Sequence, residues 1–136
     1  MSEPIKIVRV IVEEVGTPRN DGTPGSALYR VPLELSGLPM TGWADAFVHA
    51  MDNPQSWTTS HQRGIASVSG RKIILEPTTI EQVREDHKAT LEAAVQFANQ
   101  HVAAMAAKEA EESERSRLVL EEHKRHVAAE AAKISF

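Results

Sequence analysis

TTIEQVREDHKATLEAAVQFANQHVAAMAAKEAEESERSRLVLEEHKRHVAAEAAKISF, residues 78–136, decides the fold. All seven glycines and all seven prolines lie at or before Pro77, so no later residue obliges the chain to turn. The stretch is rich in Ala, Glu, Lys and Arg, which lose little side-chain freedom in a helix. It opens with two overlapping capping boxes, Thr78 with Glu81 and Thr79 with Gln82. One uninterrupted helix of this length would reach on the order of 80 Å at about 1.5 Å per residue. The residues before it are too few to cover such a rod.

The helix changes character along its length. Ile80, Val83, His87, Leu91, Ala94, Ala98, Val102 and Met105 follow one another at spacings of three or four, in an eleven-residue repeat. That period holds one stripe on one side of a nearly straight helix. Val95 broadens the stripe; Phe97 lies off it and needs another neighbour. This half is expected to pack across a sheet, because the remaining body has too little core to stand alone. Ala107–Arg117 holds no large apolar residue, only charges spaced for ion pairs: Lys108–Glu112, Glu111–Arg115 and Arg117–Glu121. Apolar residues return at Leu118, Val119, Leu120, Val127, Ala131, Ile134 and Phe136, with Leu120, Val127 and Ile134 seven apart. No turn residue marks a hairpin, so another chain is expected to cover this second stripe. The organisation is therefore a core over 1–106 and a charged helical extension over 107–136. The expected interface is Leu118, Leu120, Val127, Ala131, Ile134 and Phe136.

Before Pro77 the pattern is that of strands. Ile5–Val15 has Val8, Val10 and Val12 on one face, with Ile5, Ile7 and Ile11 on the other, interrupted by Arg9. A strand covered on both faces fits this better than an edge. Gly16–Gly25 is an exposed loop of turn residues. Ala27–Ser36 alternates: Ala27, Tyr29, Val31, Leu33 and Leu35 share a face, and Pro32 argues for an edge or a bulge. Thr41 is placed to cap a short helix ending at Asn53-Pro54, with Trp43, Phe47, Ala50 and Met51 buried. Ile65–Val68 and Lys72–Glu76 form a hairpin around Ser69-Gly70-Arg71, and Pro77 closes the sheet. The order ββαββα predicts an α+β fold, a small antiparallel sheet covered by helix, with a long C-terminal helix.

Composition narrows the function classes. With 15 basic and 19 acidic side chains the net charge is −4, so nucleic acid and anionic membrane are not expected partners. The absence of cysteine removes disulfides, thiolate catalysis and Cys-type zinc sites, and fits a reducing, cytoplasmic setting. The first residues lack the pattern of a signal peptide, and no window is apolar enough to span a bilayer.

Candidate chemistry gathers at QSWTTSHQRG, residues 55–64, which reads as strand or loop. Trp57, Ser60, His61 and Arg63 offer an aromatic platform, a hydroxyl, an imidazole and a guanidinium, the groups that hold a small polar or anionic ligand. Adjacent Ser60 and His61 do not by themselves give a nucleophile–base pair. Asp45 and His49 stand one helical turn apart, the spacing of an exposed helix pair. His123 and His126 share a helix face but lack the Glu-x-x-His pattern of bundle metal sites, and His87 reads as a hydrogen-bonded core histidine. No phosphate-binding glycine pattern occurs. The expectation is a non-enzymatic interaction or assembly protein that associates through its C-terminal helix with itself or another protein. No catalytic residue, metal or cofactor is expected. The alternative is a small-molecule binder or small enzyme using Trp57–Arg63.

Overall fold

The computed structural model describes residues 3–136. The fold is α+β. Strands β1 (Ile7–Val10), β2 (Tyr29–Leu35), β3 (Ala66–Ser69) and β4 (Lys72–Thr78) form one antiparallel sheet in the order β1-β2-β4-β3. Helix α1 (Trp43–Asp52) separates the two strand pairs. A helical turn, α2 (Ile80–Gln82), a five-residue π turn (Val83–His87) and α3 (Lys88–Ala131) follow β4 without a break. The chain divides into two units, Met1–Val102 and Ala103–Phe136, a division about one helical turn ahead of the compositional boundary at 106.

The core of the first unit forms where the predicted faces meet. Val31, Leu33 and Leu35 of β2, with Ile73 and Leu75 of β4, bury one sheet face against Trp43, Phe47 and Met51 of α1. Val83, Leu91, Ala94 and Ala98 complete it from the helix. Trp43 and Phe47 stack with ring centroids 5.2 Å apart. The stripe is buried only in its middle: Ile80 and Met105 at its ends are exposed. Phe97 finds its separate neighbours in His49 and His101, at 6.2 and 6.3 Å between ring centroids. His49 thus faces Phe97.

Four local expectations are corrected. β1 is an edge strand, not one covered on both faces. A bulge between Ile7 and Arg9 shifts its phase, so Ile5, Ile7 and Val10 pack toward the core while Val8 and Val12 face solvent. Pro32 lies in an inner strand, and the bulge in the β2–β4 pairing sits at Tyr29/Val31 instead. The missing N–H is harmless there because β1 has ended. The Pro32 carbonyl accepts from Ile11 N–H at 2.9 Å, and the Ile11 carbonyl turns to Glu14 N–H at 3.0 Å. Thr41 does not cap α1; Gly42 stands at the N-cap with φ +93°, a left-handed conformation that glycine tolerates without cost from a Cβ. Of the two capping boxes only Thr79 caps the helix, accepting from Gln82 N–H at 3.1 Å; Thr78 is buried in β4, which runs one residue past Pro77. Tyr29 Oη adds a second cap, accepting from Ile80 N–H at 3.0 Å.

In the second unit every residue from Ala103 to Phe136 is exposed. Its ion pairs centre on Arg117, which holds Glu114 at 2.5 Å and Glu121 at 2.8 Å, while Lys133 pairs with Glu130 at 3.3 Å. Of the three expected pairs only Arg117–Glu121 is among them. The helix ends at Ala131, so Ile134 and Phe136 lie past its last regular turn. Among the described residues no helix is long and apolar enough to cross a membrane.

Candidate functional site

The segment from Trp57 to Arg63 is a loop, held to the end of α1 by two backbone carbonyls and one carboxylate. His61 Nε2 donates to the Met51 carbonyl at 2.6 Å, and Arg63 Nε donates to the Asp52 carbonyl at 3.1 Å. Gly64 N–H donates to Asp52 Oδ1 at 2.8 Å. Carbonyls at a helix C-terminus lack intrahelical partners and carry partial negative charge, so imidazole and guanidinium donors suit them. The bond to Met51 fixes the His61 tautomer with its proton on Nε2.

The π turn supplies the other wall. Its widened backbone carries Asp86 to Ser60, whose Oγ donates to Asp86 Oδ2 at 2.6 Å, and turns His87 inward until it is fully buried. The His61 and His87 rings lie 5.7 Å apart, Trp57 meets His61 edge-on at 5.2 Å, and the Arg63 guanidinium sits 5.5 Å over the Trp57 ring. All four sequence-predicted residues therefore gather in one cluster, joined by Asp86 and His87 from the helix.

Thr58 Oγ1, His61 Nδ1 and both ring nitrogens of His87 are buried with no hydrogen-bond partner among the described residues. The expectation of a hydrogen-bonded His87 is thus corrected: the ring is buried among groups that do not reach its nitrogens. Burial pushes the His87 imidazole below its ordinary value, the neighbouring His61 adds to the shift, and Asp86 opposes it. The Ser60 proton goes to the Asp86 carboxylate and not to the adjacent imidazole, so Ser60 and His61 do not form a hydrogen-bonded pair. Among the described residues no three His, Asp or Glu gather closely enough to hold a metal ion, and His123 and His126 are exposed.

Neither Asp86 nor Asn99 stood out in the sequence. Asn99 joins three parts of the first unit: its Oδ1 accepts from Ile5 N–H at 3.0 Å and from Trp43 Nε1–H at 2.9 Å, and its Nδ2 donates to the Ile5 carbonyl at 2.9 Å. A polar residue beside the apolar stripe was the only available signal. Comparison with protein-family models, curated proteins and solved structures finds no match to this chain.

Proposed function

We propose that this is a non-enzymatic interaction or assembly protein that joins another protein chain, a second copy foremost, through residues 107–136. The observation that carries the reading is the apolar stripe of α3, where Leu120 is 53% and Val127 50% exposed, with Leu118 and Ala131 also in water. Apolar surface of this kind marks a partner site. Helices in water gain most of their stability from packing an apolar face, which here needs a partner. Cytoplasmic residence belongs to the same reading. Leu120→Asp with Val127→Asp tests it by size exclusion: association should be lost while tryptophan emission, which reports the first unit, stays native. Association unchanged by both substitutions would count against the arm.

A second reading has one observation behind it. The four unpartnered polar atoms beside half-exposed Trp57 would be satisfied by a small polar ligand. A metabolite screen that raises the melting temperature and shifts Trp57 emission supports it; a screen with neither effect removes its basis.

A further inference from the structure

We propose that the outer edge of β1 and the helix beside it form a docking groove for an extended peptide, which adds a fifth strand to the sheet and presents acidic side chains to a basic rim. The site lies within the first unit and is independent of the helical arm.

The backbone supplies the first argument. β1 ends the sheet and, among the described residues, has no strand on its outer side. Lys6 turns its backbone inward: its N–H donates to Ser36 Oγ at 3.0 Å and its carbonyl accepts from Ser36 N–H at 2.8 Å. Strand alternation then turns Ile5 and Ile7 outward. Leu35, opposite Ile7, agrees, since its N–H donates the other way, to the Arg71 carbonyl at 2.8 Å. The outward groups of Ile5 are both taken by the Asn99 amide, which pairs with them as a neighbouring strand would. Ile7 is the next outward residue, and among the described residues its backbone has no hydrogen-bond partner outside the sheet.

Beside Ile7 is a groove of about 500 Å³ between β1 and the helix, within the range of peptide and small-ligand sites. Its floor is apolar, built from Ile7, Val10, Leu33, Val83, Leu91 and Val95. Strand addition uses such an arrangement: main-chain bonds to the edge provide affinity, and every second side chain of the guest enters the apolar floor. An edge left this open in a monomer is otherwise a liability, and Val8 on it is 57% exposed.

Charge selects the guest. Lys6, Arg9, Arg84 and Lys88 line the groove against one acid, Glu92, in a chain whose net charge is −4. Arg9 is committed to Glu13 and Glu34, and Arg84 to Glu85. Lys6 and Lys88 make no ion pair among the described residues. A segment alternating apolar and acidic residues would fill the floor and reach both ammonium groups.

Fluorescence anisotropy of the full chain with a labelled, end-capped peptide alternating Val and Glu tests the proposal. The Val/Glu peptide should bind, and a Val/Lys peptide should bind at least about tenfold more weakly. Methylating the backbone nitrogens of either all Val or all Glu residues tests strand addition, because the two sets of N–H groups point to opposite edges. One methylated series should lose binding by about tenfold or more, and the other should keep it. Lys6→Glu with Lys88→Glu, both exposed, should weaken the Val/Glu peptide about tenfold at an unchanged melting temperature. Equal binding of both methylated series would overturn strand addition in favour of non-specific apolar contact. Equal binding of the acidic and basic peptides, or no binding up to millimolar concentration, would overturn the proposal altogether.

Discussion

Replacing half-buried Asn99 with Ala should destabilise the first unit by several kcal/mol. Three hydrogen bonds disappear at once, two accepted by Oδ1 and one donated by Nδ2. They differ in weight. Trp43 is fully buried, so its indole N–H has no water to turn to and bears a desolvation penalty of about 1–3 kcal/mol. The two bonds to Ile5 lie at the strand edge, where water can replace the amide, and contribute about 0.5–1 kcal/mol each. The sum is about 2–5 kcal/mol, a large part of the roughly 5–15 kcal/mol of an ordinary domain. Urea unfolding followed by tryptophan emission measures it, since Trp43 reports the core directly. Asn99→Asp keeps the acceptor for both N–H groups and loses the donor, so it should cost less than Ala. A loss under about 0.5 kcal/mol for Asn99→Ala, or a larger loss for Asp than for Ala, would refute the assignment of Asn99 as the clasp between β1, α1 and α3.

His87 gives a pH prediction with a definite sign. Its folded-state value lies below the ordinary 6.5, so the unfolded chain binds the proton more readily. Stability should be complete above pH 6.5 and fall as pH drops below it, by up to about 1.4 kcal/mol per pH unit until the folded-state value is reached. His87→Leu should flatten this part of the stability–pH profile; an unchanged slope would point to other groups. Thr79→Ala removes the side-chain cap of α2 and should cost about 1 kcal/mol in the same unfolding assay, whereas Thr79→Ser should cost little.

The elements that sequence alone made legible are those whose pattern is local. Val31, Leu33 and Leu35 alternate because one face of β2 meets the core, and alternation can be read without knowing what lies opposite. The helix after Pro77 is legible because nothing in it breaks a helix. What was hidden depends on partners distant in sequence. Ile5–Val15 reads as a longer, covered strand because its apolar residues are real, but Pro32 ends the ladder and the bulge at Val8 swaps the faces. The π turn carries no residue signature; it is favoured by what Asp86 and His87 then meet, Ser60 and His61. The Trp57–Arg63 cluster was legible as a set of residue types, though not as donors to the end of α1, because a helix terminus does not announce in sequence which loop will satisfy it. Asn99, one polar residue among many on a helix, gains its role only from Ile5 and Trp43.

Light scattering on the full chain across a range of concentrations tests the central claim most directly. The account predicts a mass that is a multiple of 14.9 kDa, falling to a single chain in the Leu120→Asp, Val127→Asp variant while Trp43 stays buried. A native chain that remains at 14.9 kDa at every concentration would contradict self-association, and an oligomer indifferent to both substitutions would place the contact elsewhere in the molecule.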